Sequence, residues 1–323
     1  MTESAQLLDA FDARAQRRDQ RRDFFKMAMG AAAVGATAFT LTSKAGAQAT
    51  ITDADILNFA LNLEYLEAQF YAYAANGTGL PANQLTGTGT QGAVTGGAQV
   101  PFGNDTIVQA YAREIAADEA AHVAFLRTAL GSAAVAQPAI NISGDANGPF
   151  TAAARLAGVV GNTETFNPYA SPTAFLLAAY IFEDVGVTAY KGASPLITSK
   201  PFLQAAAGIL AVEAYHAAII RTTLYSRGYD ELMPMPSLVT ATGQISALRD
   251  SVDGSSVLDQ GIARTTVNGQ LVSNIVPTDT NGIVFSRSPQ QVLNIVYLNR
   301  AAATLGGFFP AGVNGNLRAS VAN

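Results

Sequence analysis

The sequence predicts an all-α fold: a four-helix bundle with a long crossover between its second and third helices, followed by a mixed C-terminal extension that carries a fifth helix. Three observations lead there. Four segments repeat apolar residues at helical spacing, each opened by a capping residue. The third and fourth segments are joined by only about eight residues, the second and third by about forty. The chain of 323 residues is 49% hydrophobic and 13% charged, a composition that supports a well-buried core.

The first helix, "TDADILNFALNLEYLEAQFYAYAA" from Thr52 to Ala75, has Thr52 or Asp53 to cap its start and Asn76-Gly77 to stop it. Residues 76–104 are too rich in glycine and threonine for regular structure and read as a long loop. Asn104 or Asp105 opens the second helix, which ends before Gly131. Residues 131–171 carry Pro138, Gly144, Gly148, Pro149 and Pro168 around one short apolar segment, "TAAARLAGVV", and read as a long connection with a turn or two of helix. Ser171-Pro172 starts the third helix, which runs to about Lys191, and Ser199-Lys200-Pro201 repeats the device for the fourth, which Gly228 ends. The short link makes those two an antiparallel hairpin; the long one is enough to cross the length of a bundle. After Gly228 the pattern weakens. Residues 230–286 are mixed, with β-branched runs such as "GQLVSNIVP"; Ser288-Pro289 then opens a fifth helix, "PQQVLNIVYLNRAAATL", and the final "GGFFPAGVNGN" reads as loop. The bundle is thus assigned to residues 50–228 and the extension to residues 229–323. No repeat with the period of a solenoid is present.

Residues 1–49 stand apart. A basic stretch, a short apolar run from about Met27 to Leu41 and a small-residue ending have the form of a signal peptide, and the apolar run falls short of the roughly 20 residues that span a bilayer. Within it, Arg21-Arg22-Asp23-Phe24-Phe25-Lys26 resembles the twin-arginine export signal, and Ala47-Gln48-Ala49 suits cleavage before Thr50. That resemblance implies the twin-arginine export machinery as a partner and a periplasmic or extracellular location. It also implies export of a folded chain, often one already loaded with its cofactor. Removing this segment takes away seven Lys/Arg and five Asp/Glu and leaves 12 basic and 19 acidic side chains, a net charge of −7. Nucleic acid is not an expected partner for such a surface. The chain has no cysteine, which excludes disulfides, thiolate nucleophiles, zinc–thiolate sites and iron–sulfur clusters. Any metal has to be held by carboxylate and imidazole.

The chain has two histidines, and each follows a glutamate by three: Asp118-Glu119-Ala120-Ala121-His122 and Val212-Glu213-Ala214-Tyr215-His216. On a helix that spacing offers a carboxylate and an imidazole to one point in space. With eight glutamates in the 274 residues after position 49, independent placement gives this double coincidence odds on the order of one in a thousand, whereas a dinuclear site in a helix bundle requires it. Such a site needs one more glutamate from each of the other two helices. The third supplies Glu183, and the first offers Glu64 or Glu67. Glu64 precedes Tyr71 by seven residues and Glu183 precedes Tyr190 by seven, two turns along one face, whereas Glu67 has Ala74 there. Glu64 is therefore preferred and Glu67 is the alternative ligand. Several buried carboxylates without a cation repel one another or take up protons, so the cluster makes physical sense with divalent metal.

Other readings of these residues are more ordinary. A lone buried histidine is usually a hydrogen-bonded core residue, and Tyr71 and Tyr190 are equally well explained as core aromatics. Glu114, Glu164 and Asp184 read as solvated or helix-end charges. No phosphate-binding glycine loop is present, and both histidines are already accounted for, which leaves no serine triad.

The set Glu64, Glu119-x-x-His122, Glu183 and Glu213-x-x-His216 resembles the ligand set of the ferritin-like superfamily, which includes bacterioferritins, rubrerythrins and manganese catalases. "DILNFALNLEYLEAQFYAYA" and "GGFFPAGVNG" resemble the exported ferritin-like family that contains desiccation-related proteins. By that resemblance Glu119 and Glu213 would bridge two iron or two manganese ions, His122 and His216 would each ligate one, and Glu64 and Glu183 would be terminal ligands. Tyr71 and Tyr190 would hydrogen-bond the carboxylates, and Asp118 would support a histidine from behind. Val212 departs from the pattern, since an acid is often found there, and this implies unequal tuning of the two metals. The expected activity is oxidation of Fe(II) or reduction of O2 or peroxide in oxidative or desiccation stress, as a ferroxidase, peroxidase or catalase-like oxidoreductase. The alternative is a non-catalytic stress or structural protein that keeps the fold. A homo-oligomer is compatible with either.

Overall fold

The computed structural model describes residues 51–323, so the signal-peptide reading of residues 1–49 lies outside the described residues. Helix α1 (Asp53–Asn76) begins where Thr52 and Asp55 cap each other reciprocally: the Thr52 hydroxyl accepts from the Asp55 N–H, and the Asp55 carboxylate accepts from the Thr52 N–H. It stops at Gly77, whose φ of 74° places it in the left-handed region where glycine is unstrained. Helix α2 (Thr106–Leu130) is capped by the Asp105 carboxylate. The turn or two expected inside the long connection is α3 (Pro149–Ala157). Helices α4 (Pro172–Ala193) and α5 (Lys200–Gly228) each start with a serine hydroxyl accepting from the backbone and a proline in the first turn, as predicted.

Side-chain contacts fix the helix directions. Asn58, near the start of α1, donates to the Ala133 carbonyl just past the end of α2 at 3.0 Å, so these two are antiparallel. Tyr71 reaches Glu183 and Tyr190 reaches Glu64, so α1 and α4 are also antiparallel. Helices α2 and α4 therefore run the same way, and the chain between them has to travel back along the bundle. On that route β2 (Ile140–Asn141) pairs in parallel with β1 (Val94–Thr95), so the glycine- and threonine-rich loop gains a short strand and a one-turn 3-10 helix at Ala82–Gln84. Helix α4 is buried almost throughout and hence lacks a polar face. Its Phe182 joins Phe70 of α1, Phe150 of α3 and Phe308 in an aromatic cluster, with the Phe182 and Phe308 rings 4.9 Å apart.

The extension differs from expectation in two places. Residues 230–286 were expected to be mixed; they contain a full helix, α6 (Pro236–Asp253), besides the antiparallel hairpin of β3 (Thr265–Val267) and β4 (Gln270–Val272). Leu238, Ala241, Ile245, Leu248 and Val252 form its buried stripe at helical spacing, a pattern masked by Thr240, Thr242 and Gly243 and by the preceding Met-Pro repeats. The fifth predicted helix, α7 (Pro289–Val296), is much shorter than expected. Its apolar residues bury themselves, but of the alanines that follow Ala301 and Ala302 are exposed and Ala303 is only half-buried, too little to hold further turns of helix. Leu298 turns into the left-handed region at φ 53°, and the Asn294 side chain donates to the Asn299 carbonyl at 2.6 Å, closing the end. The terminal loop returns to the bundle: Asn314 N–H donates to the Asn62 side chain and its carbonyl accepts from it, both at 2.9 Å.

Asp184 is a further correction. The sequence reads it as a solvated or helix-end charge alongside Glu114 and Glu164, which are indeed exposed, yet Asp184 is buried. Its carboxylate accepts from Arg221 at 2.8 Å and from Arg249 at 2.9 Å. Arg249 continues to Asp259, which also binds Arg287, and Arg287 binds Asp253 at 2.6 Å. This chain of buried ion pairs ties α6 and the segment before α7 to α4 and α5.

Candidate metal centre

Four helices deliver the predicted residues to one interior point. Helix α1 brings Glu64, α2 brings Glu119 and His122, α4 brings Glu183, and α5 brings Glu213 and His216; all six are buried. They form two adjoining groups, Glu64–Glu119–His122–Glu213 and Glu119–Glu183–His216, in which ligand atoms lie close enough to hold an ion. Glu119 belongs to both. One of its oxygens, Oε2, is 3.4 Å from His122 Nδ1, and the other, Oε1, is 3.0 Å from His216 Nδ1. His122 Nδ1 is also 3.1 Å from Glu64 Oε2 and 3.7 Å from Glu213 Oε1, while His216 Nδ1 is 3.6 Å from Glu183 Oε2. The imidazole centres stand 6.4 Å apart.

Tyr71, Tyr190 and Asp118 lie against this cluster. Tyr71 donates to Glu183 and Tyr190 donates to Glu64, so each tyrosine holds the carboxylate of the opposite helix rather than the one seven residues before it. Asp118 Oδ2 lies 3.2 Å from His216 Nε2, which leaves Nδ1 turned toward the carboxylates. No side chain among the described residues bonds His122 Nε2, in keeping with Val212 replacing an acid on the partner helix. Glu67 is buried beside the cluster but outside both groups. Sequence reasoning passed over Gly186. A Cβ there would collide with Glu213 Oε2 and stand 3.5 Å from Glu67 Oε1, so the glycine makes room for the carboxylates. A glycine inside a helix, three residues after Glu183, was the available signal.

The donor set fits a cation. Both oxygens of Glu119 and of Glu213, one oxygen of Glu183 and His216 Nδ1 are buried without a hydrogen-bond partner, an arrangement native interiors avoid unless an ion completes it. Without metal the cluster stores protons. Burial pushes the Glu64 carboxyl up to about 7 and that of Glu183 up to about 8, against the pull of His122 and His216 respectively. Burial and the neighbouring carboxylates drive Glu67 and Glu213 well above the ordinary range. Burial also acts upward on Glu119, but the two flanking imidazoles overturn it and hold that carboxyl at about 2. Burial alone would depress the histidines; the facing carboxylates instead raise His122 to about 11 and His216 to about 9.

The signs give opposite pH trends for the two forms. Raised Glu64, Glu183 and His216 stabilise the metal-free fold at low pH and lose that contribution as pH rises toward about 7, 8 and 9. Metal ligation requires those same protons to leave, so affinity grows over that interval. The metal-free chain is therefore expected to melt at lower temperature as pH goes from 5 to 9, and the metal-dependent gain in melting temperature to increase; thermal melts with and without chelator read both. A second expectation concerns Gly186→Ala, which should lower metal content while the helical signal in circular dichroism stays unchanged.

A bundle with one long crossover, in which two Glu-x-x-His helices face two single-glutamate helices, defines the class of carboxylate–histidine four-helix proteins. The chain belongs to the ferritin-like family: the model of the ferritin-like domain matches residues 52–226. It is similar to the ferritin-like catalase Nec2 of Nesocodon mauritianus, 30% identical over 276 residues that cover 82% of this chain and 84% of the relative. It is also similar to the desiccation-related protein PCC13-62 of Craterostigma plantagineum, 33% identical over 251 residues that cover 75% and 76%. No solved structure matches the chain significantly.

Proposed function

We propose that the chain is an exported oxidoreductase whose Glu64, Glu119, His122, Glu183, Glu213 and His216 hold two iron or two manganese ions and that its substrate is peroxide, O2 or Fe(II). One observation carries this reading: the two oxygens of Glu119 face different imidazoles and have no hydrogen-bond partner, so this one carboxylate would serve both halves of the donor set. Bound there, two such ions would supply paired one-electron changes to a small oxidant. The protein's part is to fix and shield. Tyr71 and Tyr190 hold Glu183 and Glu64 in place, Asp118 orients His216, and the burial of all six ligands keeps bulk water out. The ligand set suits both metals, since carboxylate favours manganese and mixed imidazole–carboxylate suits iron. The name of the first relative supports peroxide as the oxidant. Arg21-Arg22 and the run after it support export by the twin-arginine route to the periplasm or beyond.

Consumption of peroxide, O2 and Fe(II) by protein loaded separately with iron and manganese tests the reading. Turnover of one of the three by one metal form is expected. A second reading, that of a stress protein which keeps the fold and turns nothing over, is favoured by the name of the desiccation-related relative. A fully loaded centre inert to all three reagents would establish it instead.

A further inference from the structure

The C-terminal extension closes a small cavity against α1 and α4. Its walls include Leu63 and Leu66 of α1, Ile181 and Val185 of α4, and Ile295 and Val296 of α7, and its inner end is formed by Glu67 and Gly186, where it meets the carboxylate cluster. The volume is about 20 Å³, against the roughly 10–15 Å³ that one water-sized molecule requires. Size alone admits water, peroxide or dioxygen, but the lining separates them. A buried water needs two to four polar partners, and peroxide, with two O–H groups, needs at least as many. Glu67 is the one polar side chain in the lining. Dioxygen asks for no hydrogen bond.

We propose that this cavity is dry and holds dioxygen beside Glu67, and that the extension serves to close it. Its use in turnover rests on the dinuclear reading above; its affinity for an apolar molecule does not. Dioxygen could enter as the oxidant or leave as the product of peroxide disproportionation, in which two H2O2 give O2 and two H2O.

Xenon, an apolar probe of similar size, tests the binding. Crystals of the metal-free full chain under xenon pressure are expected to show one xenon atom in this cavity, lost in Val185→Leu, which fills it, and more occupied in Ile181→Val, which enlarges it. An ordered water there, or no xenon in both the native chain and Ile181→Val, overturns the proposal. In the metal-loaded protein, Val185→Leu slowing reoxidation of the reduced centre by O2 at least threefold assigns the cavity to substrate. The same slowing of O2 evolution from peroxide assigns it to product. Neither changing, with xenon displaced, removes the cavity from turnover. A chain that binds xenon but no metal would sink the dinuclear reading and leave the cavity standing.

Discussion

Glu119→Gln is expected to empty both metal positions together. Glu119 is the residue whose two oxygens reach both histidine sides of the cluster, so the amide replaces one oxygen donor with a non-ligating NH2, makes the other a weaker neutral donor and removes the single negative charge that both positions share. Affinity for both ions should fall more than about a hundredfold, beyond the roughly 10–100-fold that loss of a supporting partner costs. Asp118→Asn gives the contrast. Among the described residues the Asp118 carboxylate bonds only His216, and it is half exposed, so its loss should weaken one position by about tenfold and leave the other loaded. Metal analysis after dialysis against a graded chelator distinguishes the two patterns. Equal retention in Glu119→Gln and the native chain would show that Glu119 does not bridge.

The second large effect is expected far from the cluster. Arg249→Ala should destabilise the protein by about 3–5 kcal/mol, the usual cost of stranding one half of a buried ion pair. Both Asp184 and Asp259 lose a partner in this variant. For a chain of this size that corresponds to a drop in melting temperature of about 10 °C. Limited proteolysis should cut first within the extension, because Arg249 lies on α6 and its partner Asp184 on the bundle. A melting temperature within about 2 °C of the native value would show that the network is not what holds the extension.

Much of the bundle and of its cluster is legible in the sequence. Capping residues and prolines fixed the starts of α1, α2, α4 and α5 because they act locally, on the first turn they precede. The paired Glu-x-x-His motifs were equally readable, since three-residue spacing on a helix fixes a shared face. What the sequence concealed depends on contacts across the fold. The seven-residue spacing of Glu64 with Tyr71 and of Glu183 with Tyr190 places each pair on one face but says nothing of which carboxylate lies opposite, and the bonds turn out to cross. Asp184 looked solvated because its partners Arg221 and Arg249 lie 37 and 65 residues away. Helix α7 ends early because Ala301 and Ala302 after it stay exposed and only Ala303 reaches the core, which a residue count cannot show.

Whether two metal ions lie between the four helices is tested most directly by anomalous diffraction at the iron and manganese edges. Crystals should be grown from protein expressed with residues 1–49 and supplemented with either metal. Two peaks are predicted, one between Glu64, Glu119, His122 and Glu213 and the other between Glu119, Glu183 and His216. A cluster without a peak, in protein that carries under about 0.2 metal per chain after supplementation, would contradict the account.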